Sequence, residues 1–260
     1  MSKFQKMLID THSHIYSEDF THDRDEALQR AYESGVKKII LPNIDSGSIK
    51  HMLDLVDAYP HLCYPLIGLH PTSVEEDYKD ELQAMEYWLD KRKFHGIGEI
   101  GIDLYWAKKF EEEQKEVFRY QIKLAKQRNL PVVIHVRNSF EETYKIVKEE
   151  QDGHLKGIFH CFTGNENEAQ KVIDVGFHLG IGGVVTFKNS NLDEVISKIN
   201  LEHLVLETDS PYLAPVPKRG KRNESAYLVF IAQKLSEIYN VPLTRVAEIT
   251  TQNARKLFEI

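Results

Sequence analysis

Eight short apolar runs, separated by stretches of helical composition and spacing, leave few folds open to this chain. The runs are "MLIDTHS", "VKKIILPN", "CYPLIGLH", "GIGEIGID", "PVVIHV", "KGIFHCF", "HLGIGG" and "HLVLETDS". Between the first two, "THDRDEALQRAYESG" puts Ala27, Leu28 and Ala31 on one side and ends at Gly35, a helix stop signal. Further on, "EEEQKEVFRYQIKLAKQRN" aligns Val117, Phe118, Ile122 and Ala125 and ends near Asn129, before Pro131. No Pro/Gly/Ser-rich linker divides the alternation. Such a series of βα units predicts an α/β protein, a (β/α)8 TIM barrel forming a single domain over 1–260; a doubly wound open sheet is the alternative.

Composition supports a large buried core, since 42% of the 260 residues are hydrophobic and 10% aromatic. No apolar run approaches the roughly 20 residues of a membrane span, and "MSKFQKMLID" lacks the apolar stretch of a secretory signal. A soluble cytoplasmic protein with no membrane contact and no obligate protein partner is the expectation. Cys63 and Cys161 lie in strand-like contexts and read as free core thiols. A net charge of -7 argues against a broad surface for coating nucleic acid, though not against a compact phosphate site.

Polar residues interrupt the apolar runs at or near their C-terminal ends. They are His12 and His14 in the first, His70 in the third, Glu99 and Asp103 in the fourth, His135 in the fifth, His160 in the sixth, and Glu207 and Asp209 in the eighth. In a barrel those ends open onto the face where catalytic groups gather. Strand parity puts Asp10, His12 and His14 on one face, Glu99 and Asp103 on another, and Glu207 and Asp209 on a third. One histidine at a strand end is ordinary, and His70 before Pro71 reads equally as a turn cap or a pocket residue. Convergence changes the odds, because so many polar side chains are costly to bury without partners. Imidazoles suit zinc and related ions, and bridging carboxylates also accept magnesium or manganese. Two divalent ions (Mg, Mn or Zn) sharing a carboxylate would account for the number of ligands.

The segments "LIDTHSHI", "GIGEIGID", "PVVIHVRN", "GIFHCFTG", "LETDSPYLAP" and "GKRNES" resemble, in order and over essentially the whole chain, the successive motifs of the TatD-type deoxyribonuclease family. These are metal-dependent hydrolases related to the amidohydrolase barrels. The resemblance implies that His12, His14, Glu99, His135, His160 and Asp209 are metal ligands. By the same likeness Glu99 bridges two ions, with His12, His14 and Asp209 on one and His135 and His160 on the other. The family usually has proline after "RNE", where this chain has Ser225, which bears on the rigidity of that loop.

A function follows as an expectation: hydrolysis of phosphodiester bonds by a two-metal-activated water, with Glu99 and Asp209 as the catalytic carboxylates and Asp209 as proton acceptor. Glu207 and Asp103 are expected to orient ligands or water from behind. His70, Arg137, Lys188, Arg222 and Asn223 are candidates for substrate binding, the arginines because a guanidinium matches phosphate oxygens bidentately. The implied partner is DNA, single-stranded or frayed at an end, and the implied activity that of an exonuclease. The competing readings are an amidohydrolase-like enzyme acting on an amide, lactone or other ester, and a non-catalytic binding barrel.

Overall fold

The computed structural model describes residues 7–260. Strands and helices alternate from end to end: β1 (Leu8–Asp10), α1 (Arg24–Ser34), β2 (Val36–Leu41), α2 (Ser46–Ala58), β3 (Cys63–Pro65), α3 (Tyr78–Lys91), β4 (Ile97–Asp103), α4 (Glu111–Arg128) and β5 (Val132–Arg137) make the first part. The series continues with α5 (Phe140–Glu150), β6 (Gly157–Phe159), α6 (Glu166–Asp174), β7 (His178–Ile181), α7 (Leu192–Ile196), β8 (Leu204–Leu206), α8 (Leu228–Tyr239) and α9 (Leu243–Phe258). Every strand pairing is parallel, with β1–β2–β3 in one ladder and β4 through β8 in another. Parallel bridges between Ile67 and Ile97 and between Ser13 and Ser210 join the two ladders at both seams. The result is a closed (β/α)8 barrel, not an open sheet.

The helices form where the apolar spacing places them. Ala27, Leu28 and Ala31 are the buried face of α1, and Gly35 ends it with a φ of 105°, a conformation in which a side chain would be strained. In α4 the buried set includes Val117, Phe118, Ile122 and Ala125, and Asn129 ends the helix in the left-handed region. The main core lies between barrel and helices. A second cluster gathers Ile9, Ile40, Leu66, Val133, Ile158 and Val205 against Ala254, Leu257 and Phe258 of α9. That last helix therefore plugs the barrel floor, each fully buried Leu or Phe contributing about 2–3 kcal/mol relative to exposure. Among the described residues no helix is long and apolar enough to cross a membrane.

Several strands are shorter than the apolar runs suggest. β1 stops at Asp10 and β8 at Leu206, so His12, His14, Glu207 and Asp209 stand on the segments beyond, where strand parity no longer governs them. Asp10 does not share the histidines' role: its buried carboxylate accepts from the backbone N–H groups of His12 (3.3 Å) and Thr208 (2.9 Å) and from the Thr208 hydroxyl (2.7 Å). It ties the segment carrying His12 to the one carrying Asp209. Cys63 is buried as expected, but Cys161 is only half-buried and has a φ of 46°; both thiols are free.

Candidate metal centre

Glu99, from the fully buried strand β4, sits at the middle of the barrel mouth and turns its two oxygens toward different residues. Oε2 lies 3.1 Å from Nε2 of His12 and 3.6 Å from Nε2 of His14. Oε1 lies 2.9 Å from Nδ1 of His135 and 3.1 Å from Nε2 of His160. Asp209 completes the first side, its Oδ1 3.9 Å from His12 Nε2 and 4.0 Å from His14 Nε2. Three sets of donor atoms are close enough to hold an ion: His12, His14 and Asp209; His12, Glu99 and His160; and His70, Glu99 and His135.

Hydrogen bonds on the far side of each ring decide which nitrogen faces the centre. The Tyr16 hydroxyl donates to Pro42 O (2.6 Å) and can accept from His14 Nδ1 (3.1 Å), which leaves the His14 Nε2 lone pair facing inward. Glu207 lies 3.1 Å from His160 Nδ1 and accepts from the Cys161 backbone N–H, which directs His160 Nε2 to the centre. Asp103 accepts from His135 Nε2 (3.0 Å), which leaves Nδ1 as the inward nitrogen. Carboxylate or hydroxyl partners of this kind set tautomer and orientation in metal-binding histidines.

His70 is different. Its Nδ1 accepts the Thr72 backbone N–H at 3.1 Å, so the proton resides on Nε2, which lies 3.3 Å from His135 Nδ1 and 3.4 Å from Glu99 Oε1. Although it lies within a group of suitable size for an ion, His70 therefore enters as a hydrogen-bond donor rather than a ligand. Both readings of His70 drawn from the sequence meet in one side chain, which caps the turn at Pro71–Ser73 and lines the site.

The donor chemistry fits divalent cations. His12 Nε2 and His14 Nε2 face one another at 3.2 Å, and His12 Nδ1 is buried with no partner among the described residues. Burial drives His12 toward the neutral form, while His160 is raised: burial opposes its charge, but Glu99 and Glu207 outweigh that. For Glu99 burial works against charge too, yet the surrounding imidazoles, His160 and His12 foremost, hold it well below the usual carboxylate range. Burial pushes Asp209 up to about 6 against the pull of His160 and His14.

Two glycines make room for this arrangement. A Cβ on Gly101, whose φ is 146°, would lie 2.1 Å from His135 O, and a Cβ on Gly180 would lie 2.2 Å from Glu207 Oε2. Neither position tolerates a side chain without moving the polar group beside it.

The substrate-binding candidates divide. Arg137, at the end of β5, is exposed, and its guanidinium lies 5.0 Å from the Tyr105 ring centre with no carboxylate partner among the described residues. Lys188 is exposed at a recess of about 320 Å³ lined also by Phe187 and Arg219. Arg222 and Asn223 do not stand free for substrate. Arg222 grips Asp23 of the segment before α1 through both terminal nitrogens at 2.7 Å. Asn223 is fully buried and donates to Thr208 O and Tyr212 O, both at 2.7 Å. Glu224 pairs with Arg30 of α1, and Ser225 is buried with its hydroxyl 3.4 Å from that of Ser13. The "RNES" stretch thus straps the loop after β8 onto α1 and the barrel seam. Sequence reasoning missed Tyr16, although it continues the alternation of Asp10, His12 and His14, and missed Thr72, which nothing local distinguishes; it placed Asp10 on the histidines' face without seeing that it ties two segments together.

Comparison with known proteins agrees with this geometry. The sequence model of the family described as "TatD related DNase" matches residues 9–259. An uncharacterized metal-dependent hydrolase of Bacillus subtilis, YabD, is 38% identical over 98% of this chain and 100% of its own length. An uncharacterized metal-dependent hydrolase of Escherichia coli, YcfH, is 32% identical over 97% of this chain and 96% of its own. Among solved structures, the TatD homologue YjjV of Escherichia coli superposes with a TM-score of 0.91 at 30% identity, over 97% of this chain and 98% of that one. With a closed barrel, a mouth lined by ion-binding donors and a match over nearly its full length, this chain belongs to the TatD-related DNase family of metal-dependent hydrolases.

Proposed function

We propose that this protein is a deoxyribonuclease that releases nucleotides from single-stranded or frayed ends of DNA, using two divalent ions. The observation that carries the choice of bond is Arg137: an exposed guanidinium with no carboxylate partner among the described residues, two residues beyond His135 at the rim of the centre. A neutral amide or lactone has no use for it, whereas a phosphodiester does. Support for two ions comes from Glu99, whose oxygens serve different histidines.

Divalent cations bound here would supply Lewis acidity, activating water and neutralising the charge that builds on phosphate oxygens. The protein's own groups do the rest. Asp209, its carboxyl raised by burial, is suited to take a proton near neutral pH. His70 Nε2–H, which lies between His135 Nδ1 and Glu99 Oε1, supplies a hydrogen-bond donor at the edge of the centre. Arg137 and Lys188 hold flanking phosphates, and Asp103 and Glu207 keep His135 and His160 in their tautomers.

The test offers metal-loaded protein linear single strands, duplex, closed circles, and amide and lactone substrates side by side. Mononucleotide release from linear strands, faster than from duplex and falling only shallowly with salt, is the expected result. Efficient amide or lactone hydrolysis without nucleotide release would overturn it, and circles cut as fast as linear strands would remove the need for an end.

A further inference from the structure

The turn after β4 carries two exposed aromatic side chains that the chemistry above does not use. Tyr105 and Trp106 are 50% and 73% exposed, with ring centres 4.6 Å apart in an edge-to-face arrangement. An isolated surface aromatic needs no explanation. These two differ in how they are held. The Asp103 carboxylate accepts the backbone N–H of Tyr105 (2.8 Å) and of Trp106 (2.7 Å) through Oδ1, while Oδ2 accepts from His135 Nε2 (3.0 Å). One buried carboxylate therefore sets both the ring of a centre histidine and the backbone of the aromatic turn. Further anchoring comes from Gln114, which accepts from Asp103 N (2.8 Å) and donates to Ala107 O (2.7 Å), and from Leu104 N donating to Arg137 O at 2.8 Å. Arg137, level with Asp103 in the β4–β5 register, has its guanidinium 5.0 Å from the Tyr105 ring centre. The turn is fixed at its backbone while its rings remain open to solvent.

Planar aromatic faces beside a guanidinium with no carboxylate partner among the described residues suit one ligand chemistry in particular: a nucleobase stacked on a ring with its phosphate on the cation. We propose that Tyr105 and Trp106 form a base-stacking platform that holds a nucleobase adjoining the scissile phosphodiester, with Arg137 taking the phosphate on the same side. The proposal rests on the nuclease reading and deepens it by naming how the strand is gripped. Stacking is open to any base, so the platform favours unpaired strands without selecting a sequence. A base inside a duplex has both faces covered by its neighbours, which gives a physical reason for preferring unpaired or frayed ends.

Two readouts test it. In the first, trinucleotide substrates are compared with versions in which single nucleotides are replaced by abasic residues. Trp106→Ala should raise KM for the base-bearing trinucleotide about 5- to 50-fold while changing kcat by less than about threefold. Trp106→Phe should recover most of the loss. With the parent protein, abasic replacement at the stacked position should reproduce the Trp106→Ala defect, and combining the two should add little. In the second, Trp88→Phe leaves Trp106 as the sole tryptophan of a chain that has two. Its fluorescence should be quenched by a thymidine oligonucleotide and not by the fully abasic analogue. If strands are hydrolysed but neither Trp106→Ala nor abasic replacement alters KM, the platform is wrong and the nuclease reading stands. If no strand is hydrolysed, the nuclease reading fails, and the fluorescence titration still decides whether bases stack on Trp106. Equal quenching by the abasic strand overturns the platform in either case.

Discussion

Glu207 reaches from the segment after β8 to place Oε1 3.1 Å from Nδ1 of His160, and Gly180 on β7 leaves the space its carboxylate occupies. This contact turns Nε2 of His160 toward Glu99. Replacing Glu207 with Ala frees the ring, and metal affinity should fall about 10- to 100-fold. Gly180→Ala should have a similar effect by displacing the carboxylate without removing it. Metal titration of both variants checks this; unaltered affinity in both would show that His160 needs no such support.

Glu99 and His135 should differ in how many ions they hold. Because the two oxygens of Glu99 face opposite sides of the centre, Glu99→Ala should lose both ions, whereas His135→Ala should keep about one. Metal content per chain after dialysis distinguishes the cases. Equal content in the two variants and the parent would sink the bridging assignment.

Asp209→Asn keeps the shape and removes the basicity of the group brought to about 6 by burial. Turnover should fall about 10²- to 10⁴-fold while KM changes by less than about threefold. The metal content has to be measured alongside, since near-parental turnover with metals in place would remove the proton-acceptor role.

The two arginines first considered together should separate. Arg222→Ala breaks the pair with Asp23, a partly exposed contact worth about 1 kcal/mol or less, and should lower Tm by about 2–4 °C with KM nearly unchanged. Arg137→Ala should leave Tm alone and raise KM for DNA about tenfold. The reverse pattern would return Arg222 to the substrate side.

Stability should depend on pH through His178, on β7. Burial, aided by His203 and Lys256, pushes it down to about 4 from the ordinary 6.5. The unfolded chain then binds a proton that the folded chain refuses, so this contribution is fully present above pH 6.5 and is lost as pH falls toward 4. Between pH 7 and pH 5 the parent should lose about 1–2 kcal/mol more than His178→Gln, allowing for the ring's partial exposure. Urea unfolding at the two pH values measures it; parallel losses in both proteins would refute it.

Fold and donor set were legible along the chain because both follow local rules. Alternating strand-like runs and amphipathic spacings such as Ala27, Leu28 and Ala31 specify βα units, and a series of eight closes most simply as a barrel. Histidines and carboxylates at strand ends then meet at one mouth whatever the details of each loop. The tertiary structure alone decided which partner each polar group takes. Arg222 and Asn223 read as phosphate ligands beside lysines, yet Asp23, 199 positions from Arg222, claims the first and the backbone of the loop after β8 claims the second. His70 is a donor and His160 presents Nε2 because of Thr72 and Glu207, contacts that depend on side-chain direction rather than spacing. Parity failed for Glu207 and Asp209 because β8 ends at Leu206 and Asp209 takes a φ of 56°. Residue type and periodicity are properties of a segment, whereas the state of a buried polar group is set by whichever neighbours folding brings within about 3 Å of it.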